Sequence, residues 1–335
     1  MKSIKIFHVI CIIFLLFSLA CSDDIQKEGP IGNILKNDCL MRSLGPNVAG
    51  NEIEFVYAMA LPPKEGKIIS AQVEASIPGA EGTYMEHRSA HTSSSGQDVF
   101  VTVGNPCVNS GGKTEVTFTV DTCAAALRYF YQIPDEAKGK EVTFTFSAKA
   151  TNGETVSYKM GPYTVAKMDM KLDMNVIDGA NCYISIADMA VYNEAEAAAN
   201  AGKIDLIYLY RVVNVVEGAQ TVNGFGHSFV SPASDAQYRP DFSLPSGMNN
   251  STLVRKVSNL RDRHLARAQW GVYVDDIDLE TIDFTNMPNY AINLIGERGM
   301  WVETQDGKYH AYIYVNSINN STGSAVISMK RLAVK

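Results

Sequence analysis

The segment Val142-Thr143-Phe144-Thr145-Phe146 is followed by Asn152-Gly153 and then by Val156-Ser157-Tyr158. Apolar or aromatic residues alternate with polar ones in both flanking segments, which is the pattern of half-buried β-strands. Asn-Gly tolerates the positive φ angles of a tight turn between two strands. The stretch from residue 142 to residue 158 therefore predicts an antiparallel β-hairpin.

The same alternation recurs upstream of this hairpin. The residues that it predicts on buried faces are Ile53, Phe55 and Tyr57; Ile69, Ala71, Val73 and Ala75; and Val116, Phe118 and Val120. Several short antiparallel strands that are separated by turns indicate a β-sandwich. Residues 133–140 also resemble the loop before the last two strands of bacterial immunoglobulin-like modules. We expect residues 37–166 to form an immunoglobulin-like β-sandwich.

The pattern changes near residue 167. Asn193 and Glu196 have the spacing of a capping box, and residues 194–199 are strong helix formers, with Gly202 as the expected stop. Residues 204–210 predict a buried strand, and the end of the chain predicts a meander with turns at Asp306-Gly307 and Gly323. We expect residues 167–335 to form a β-rich α+β domain with one or two helices.

The second predicted helix rests on spacing alone. Its apolar side is expected to carry Leu253, Val257, Leu260, His264 and Ala268, which recur at intervals of three or four residues. Such intervals place side chains on one face of an amphipathic helix. The mature chain is therefore predicted to be mainly β, with few helices.

The amino terminus has the features of an export signal. Lys2 and Lys5 precede the apolar run 9–17, which is too short to span a bilayer but long enough for a signal peptide, predicted as residues 1–20. Ser18-Leu19-Ala20-Cys21 resembles the lipobox of bacterial lipoproteins. The resemblance implies cleavage before Cys21 and attachment of diacylglycerol to its thiol; a secreted protein with an incidental cysteine is the alternative.

Ser22-Asp23-Asp24 follows this cysteine and is similar to the export tag of Bacteroidetes surface lipoproteins. The similarity implies an outer-membrane lipoprotein that faces the medium, with outer-membrane lipid as the partner of Cys21. Alternatively, the acidic residues are only a solvated tether. We expect residues 21–36 to form this lipidated tether, because Gly29-Pro30 and Gly32 disfavour regular structure.

Composition excludes some functional classes. The chain has 335 residues and a formal net charge of −7, and removal of the signal, which contains Lys2 and Lys5 and no acid, changes that charge to −9. A net acidic protein lacks the basic surface of a general nucleic-acid binder, so no nucleic-acid partner is expected. Export permits disulfides, but the sequence leaves the pairing open, as well as the alternative of free thiols. The cysteines concerned are Cys39, Cys107, Cys123 and Cys182.

The acidic group Asp275, Asp276 and Asp278 is the candidate site for a metal or for catalysis. Oxygen ligands of this kind suit calcium, although the spacing is not that of an EF-hand loop. Paired carboxylates also serve glycoside hydrolysis. A turn with solvated acids is the simpler interpretation. The sequence otherwise predicts no cofactor and no catalytic residue.

Aromatic and basic residues of the second domain are the candidates for ligand binding. Aromatic rings stack on the apolar C–H faces of sugars, and guanidinium groups bind acidic groups; rings in a hydrophobic core and solvated helix charges are the alternatives. The candidate residues are Trp270, Trp301, Tyr238, Tyr290, Arg263 and Arg267.

Four stretches, residues 42–50, 124–131, 184–192 and 288–294, together resemble a Bacteroides family of surface lipoproteins of unknown function. The resemblance covers nearly the whole mature chain and implies the same two-domain layout, but it transfers no functional residues.

Three functions follow as expectations. The first is a non-catalytic, surface-anchored protein that binds a polysaccharide, a host glycan or another host surface ligand. The second is a fimbrillin-like structural or adhesive subunit, processed after an early arginine such as Arg42. The third is a hydrolase that uses the Asp275 group.

Overall fold

The computed structural model describes residues 33–211, 214–217, 220–223 and 226–335. The chain is mainly β and has two successive domains, as the sequence predicts. The first domain contains eleven strands. They are β1 (Lys36–Met41), β2 (Glu52–Ala60), β3 (Ile68–Ala75), β4 (Tyr84–Met85), β5 (Arg88–Thr92), β6 (Asp98–Thr102), β7 (Val108–Ser110), β8 (Lys113–Thr117), β9 (Ala124–Gln132), β10 (Glu141–Ala150) and β11 (Thr155–Thr164).

Two antiparallel sheets of this domain share one hydrophobic core. Their strand orders are β1-β2-β9-β4 and β11-β10-β3-β8-β7. Alternate residues of β2 and β10 point into the core, where the ring of Phe55 lies 4.8 Å from that of Phe144 and 5.4 Å from that of Phe146, centroid to centroid. The predicted hairpin is confirmed as β10 and β11, and Gly153 in its turn adopts φ = +87°. The expected sandwich is therefore present.

Two predicted core positions are wrong. Ile69 is 42% exposed and Ile68 is buried in its place, because the pairing register of β3 with β10 shifts by one residue there. Val120 is 50% exposed because β8 ends at Thr117.

The tether predicted over residues 21–36 includes residues that belong to the folded domain. Leu35 is fully buried, and its N–H donates to Glu154 at 2.7 Å. The expected signal peptide and Cys21 lie outside the described residues.

The second domain contains the remaining strands and three short α-helices among the described residues. The strands are β12 (Asp169–Ile177), β13 (Tyr183–Ser185), β14 (Ala190–Tyr192), β15 (Leu206–Arg211), β16 (Asn214–Glu217), β17 (Gln220–Asn223), β18 (Gly226–Val230), β19 (Leu253–Val257), β20 (Tyr290–Leu294), β21 (Arg298–Glu303), β22 (Tyr309–Asn319) and β23 (Ser324–Ala333). The helices are α1 (Glu194–Ala199), α2 (Arg263–Ala266) and α3 (Asp276–Thr281).

Two five-stranded sheets form the body of this domain, with the orders β12-β23-β22-β21-β19 and β14-β13-β15-β18-β20. Their facing sides bury one large apolar cluster. The predicted meander is confirmed as β21, β22 and β23. The predicted capping box is confirmed at α1, where the Asn193 side chain accepts from the N–H of Glu196 and the Glu196 side chain accepts from that of Asn193. Gly202 lies in a 3₁₀ turn that follows α1.

The predicted helix over residues 253–268 is wrong. Leu253–Val257 is the edge strand β19, paired with β21 from Leu253 opposite Glu303 to Val257 opposite Gly299. Only the four residues of α2 are helical, and they begin after Asp262, whose side chain caps the N–H of Leu265 at 2.8 Å. The spacing of three or four residues arose from a strand and a separate short helix.

A third apolar cluster lies between the domains. Val48 of the first domain packs there with Leu265, Trp301 and Tyr312 of the second. Gly45 approaches the second domain so closely that a Cβ at this position would lie 2.5 Å from the ring of Tyr273. The domains are therefore in direct side-chain contact.

Cys39, Cys107, Cys123 and Cys182 are free thiols rather than disulfides. The helices there are too short and too polar to cross a bilayer.

Candidate functional site

The predicted acidic group lies at the start of α3, where its side chains bind backbone amides. Asp275 is the N-cap and accepts from the N–H groups of Ile277 and Asp278, and the Asp278 side chain accepts from the N–H of Asp275 at 3.1 Å. This is a capping box in which an aspartate takes the place of the usual glutamate. The structure therefore gives Asp275 and Asp278 local roles in the first turn of a helix.

Asp276 points away from that turn and toward the connection between the domains. Its two carboxylate oxygens accept from the N–H groups of Lys167 at 2.6 Å and Met168 at 3.0 Å. The three predicted metal ligands are thus near one another in sequence but bind separate backbone groups. Within the ranges that the structure describes, no group of three or more His, Cys, Asp or Glu side chains has an arrangement that can hold a metal ion.

The predicted aromatic residues do not form one surface. Trp301 is only 6% exposed and packs against Tyr312 in the cluster between the domains, so its ring offers no face to a ligand. Tyr238 is buried, and its ring stacks on that of Tyr290 at a centroid distance of 3.6 Å. These three aromatic residues pack within the protein.

Trp270 is different because it is 65% exposed. The guanidinium of Arg261 lies 4.0 Å from the centroid of the indole ring, and an ion pair of 3.2 Å to Glu297 holds this guanidinium in place. A cation over an aromatic face is an attractive contact. Arg261 therefore supports one face of an aromatic ring that is otherwise open to solvent.

The loop that carries Trp270 is fixed by its own backbone. The N–H of Val272 donates to the carbonyl of Arg261 at 3.0 Å, and the N–H of Arg263 donates to the carbonyl of Val272 at 2.8 Å. Gly271 makes this approach possible, since a Cβ there would lie 2.4 Å from the carbonyl oxygen of Arg261, and its φ is +126°. Trp270 is thus exposed on an anchored loop, which is a pre-organised arrangement.

The two predicted arginines lie near this loop but bind protein groups. The guanidinium of Arg263 lies 4.9 Å from the ring centroid of Tyr273, and that of Arg267 donates to Asp173 at 2.7 Å. Arg267 is also the residue that ends α2, in the left-handed conformation. The sequence grouped Arg263 and Arg267 with Trp270, but it did not reveal that Arg261 is the residue beneath the indole ring.

Sequence reasoning missed a polar cleft at the opposite end of β21. The cleft has a volume of about 340 Å³. Its walls include Gly202, Lys203, Asp205, Asp306, Lys308 and Tyr309, and we call it the Asp205 cleft. Asp205 is 4% exposed, and its oxygens accept from the N–H of Ile186 at 2.8 Å and from the Thr252 hydroxyl at 3.2 Å. Burial, with a smaller contribution from Asp306 and Asp188, raises the pKa of Asp205 to about 6.

Comparison with known proteins places this architecture in a family. The sequence model of DUF4466, a domain of unknown function, matches residues 32–165, and that of DUF8576, also a domain of unknown function, matches residues 166–334. A solved DUF4466 family protein from Parabacteroides merdae ATCC 43184 is 44% identical to this chain. The match covers 89% of this chain and 98% of that one, with a TM-score of 0.81. The chain belongs to the DUF4466 family.

Both candidate sites lie in the DUF8576 domain. Trp270 and the Asp205 cleft are positioned by its loops and strands, whereas the DUF4466 domain contributes Gly45 and Val48 to the contact with it. No curated protein is detectably similar to the chain. A role for either site therefore rests on the chemistry of the residues themselves.

Proposed function

We propose that this protein is a non-catalytic glycan-binding lipoprotein, anchored through Cys21 to the outer membrane and exposed on the cell surface. Trp270 is the residue that contacts the sugar. The supporting observation is the exposed indole ring, fixed over Arg261 on a loop with internal backbone hydrogen bonds. Rigid aromatic side chains supply contact area at little entropic cost, and polar neighbours supply hydrogen bonds.

The geometry around Trp270 suits a sugar better than a purely apolar partner. Arg261 and Glu297 lie beside the ring and present polar groups at its edge. Val272, which is 53% exposed, adds a small apolar area on the same loop. A sugar ring combines an apolar C–H face with hydroxyl groups at its rim, so it can use both kinds of surface.

Retention of the chain in polysaccharide-containing gels, together with a glycan array, tests this proposal. The material is the chain from Asp23 onward, which retains every described residue. We expect Trp270→Ala to weaken retention at least tenfold, which corresponds to about 1.4 kcal/mol, and Trp270→Phe to restore part of it. Ile277→Ala is the matched control, because Ile277 is 67% exposed and belongs to α3.

Two outcomes would contradict the proposal. If wild-type protein is retained and Trp270→Ala is retained equally well, Trp270 is not the contact residue. If a broad panel of polysaccharides retains no wild-type protein, glycan binding itself is rejected. Anchoring is tested separately in whole cells. We expect the wild-type protein to be acylated and to be digested by protease added outside the cells. The Cys21→Ser variant should lack the acyl group and should not be digested.

A second candidate function is that of a fimbrillin-like structural or adhesive subunit, and the position of β1 favours it. Among the strands that the structure describes, β1 lies at a sheet edge and pairs only with β2. Arg42 follows it directly, with a side chain that is 41% exposed and paired with Glu54 at 3.0 Å. Cleavage after Arg42 would separate β1 from the chain and leave the edge of β2 open to a strand from another subunit. A single intact monomer on cells would contradict this candidate.

A further inference from the structure

The Asp205 cleft contains a carboxylate that is almost completely buried. The two lysines of the cleft are already paired, Lys203 with Asp188 at 3.0 Å and Lys308 with Asp306 at 2.9 Å. Asp205 makes no ion pair within the described part of the chain, and its protein partners are one backbone N–H and one hydroxyl. A buried charge is costly without compensation. Among the charged groups that the structure describes in this cleft, Asp205 is therefore the one without an opposite charge.

We propose that the Asp205 cleft binds a small ligand that carries a protonated amine, with the ammonium group beside the Asp205 carboxylate. Each carboxylate oxygen accepts one hydrogen bond from the protein and has capacity for a second. An ammonium group supplies both the donors and the opposite charge. The two lysines are balanced by Asp188 and Asp306, so the charge of Asp205 leaves the group net negative, which favours a cation.

The size and remaining walls of the cleft limit the ligand. A volume of about 340 Å³ is at the lower end of the range for small-molecule sites and suits a molecule of the size of an amino sugar or an amino acid. Tyr309 supplies an aromatic wall. Arg331 lies 4.9 Å from the centroid of the Tyr309 ring and is bonded to Asp169 and to the carbonyls of Ile186 and Ala187. Its charge is therefore already engaged by Asp169 and by two carbonyls, one of which, that of Ala187, belongs to the cleft wall.

This site is separate from the one proposed at Trp270. Glu297, which holds Arg261 beneath Trp270, precedes β21, and Thr304 of the cleft follows it. A strand of this length spans about 20 Å, so one small ligand cannot reach both sites. The inference goes beyond the proposed function and does not depend on it.

Calorimetric titration of the chain from Asp23 onward at neutral pH tests the proposal, with glucosamine as the probe. Glucose and N-acetylglucosamine are the matched ligands, since they lack the charged amine. We expect glucosamine to bind at least tenfold more tightly than either. Ethanolamine, an amine without a sugar ring, shows whether the ring contributes to binding. Affinity equal to that of glucosamine indicates that the site recognises the amine alone, and weaker affinity indicates that it recognises an amino sugar. Equal affinity for glucose and glucosamine, or no saturable binding of any amine, would overturn the proposal.

Two variants locate the binding. Asp205→Asn is expected to weaken glucosamine binding at least tenfold and to leave glucose binding unchanged. Asp205 is buried, so its replacement can also disturb the fold. A second variant, Gly202→Leu, therefore tests the cleft without changing Asp205. A Cβ at Gly202 has no neighbour within 4 Å, so the fold tolerates a side chain there. Because Gly202 lines the cleft, we expect a leucine at this position to fill part of it.

Gly296→Leu is the control, because its Cβ would make only ordinary contacts, at 3.8 Å and beyond, far from the cleft. We expect Gly202→Leu to lose glucosamine binding and Gly296→Leu to keep it. Wild-type binding by Gly202→Leu would show that the amine binds elsewhere. Trp270→Ala should leave glucosamine binding intact, so failure of the glycan proposal and failure of this one are distinguishable.

Discussion

Lys330 and Asp262 form an ion pair that is completely removed from solvent, and breaking it should unfold the DUF8576 domain at much lower denaturant concentration. Both side chains are 0% exposed. Lys330 Nζ donates to Asp262 Oδ2 at 2.7 Å and to the carbonyl of Val274 at 2.7 Å. Asp262 also accepts from the N–H groups of Leu265 and Val274, so the pair joins β23, the start of α2 and the Trp270 loop.

Lys330→Met keeps the length of the side chain and removes its charge. The Asp262 carboxylate then remains buried with two amide donors and no counter-ion, and the carbonyl of Val274 loses a donor. Removal of one partner from a buried pair costs about 3–5 kcal/mol. We expect a decrease of this size in the free energy of unfolding, measured by urea titration.

Tryptophan fluorescence is the suitable probe, because both tryptophans of the chain, Trp270 and Trp301, lie in the DUF8576 domain. Trp301 is in the same apolar cluster as Leu265 and will report the loss of packing. An unchanged slope of the free energy of unfolding against urea concentration would show that the wild type and the variant undergo the same transition.

The double variant Lys330→Met/Asp262→Asn distinguishes loss of the charge pair from loss of packing. It buries no charge, so it should be at least about 2 kcal/mol more stable than the sum of the two single changes implies. Additivity within about 0.5 kcal/mol would refute the reasoning, because it would mean that the two charges do not interact. A loss below about 1 kcal/mol for Lys330→Met would refute it as well.

Two further predictions concern the cleft and the contact between domains. The pKa of Asp205 is about 6 in the folded chain against an ordinary value of 3.8, so the unfolded chain releases this proton first as the pH rises. The wild-type free energy of unfolding should therefore fall by about 2 kcal/mol between pH 4 and pH 6, relative to that of Asp205→Asn; parallel pH profiles of the two proteins would contradict this. Gly45→Ala should lower stability by about 1–3 kcal/mol more than Gly50→Ala in thermal denaturation. Both glycines have φ = +84°, but only Gly45 faces Tyr273, so equal losses would exclude the contact as the cause.

Local patterns were sufficient for most of the strands. The alternation in β2 and β10 reports which side of a sheet is buried, and the Asn152-Gly153 turn brings its two strands together without help from distant residues. The capping box at Asn193 is also local. The helix expected over residues 253–268 failed because the strand there is defined by its pairing with β21, some fifty residues later in the chain.

The sequence does not indicate which of the aromatic candidates are exposed. Trp270 and Trp301 are the same residue type, yet one lies on a loop over Arg261 and the other lies in a core that both domains build. One signal for a buried polar group was available: Asp205 lies between apolar residues in the predicted strand over residues 204–210. Such an interruption marks a special position but does not identify its partner.

Local sequence patterns and composition indicate that the chain is mainly β, where most strands and one capped helix lie, and that the chain is net acidic. These properties depend on residues a few positions apart. The exposure of the candidate residues and the pairing of the charges depend on the tertiary fold. The Asp205 cleft takes walls from around residues 202–205 and 304–309, and Lys330 finds its partner at Asp262, because the packing of sheets brings together groups that no local pattern connects.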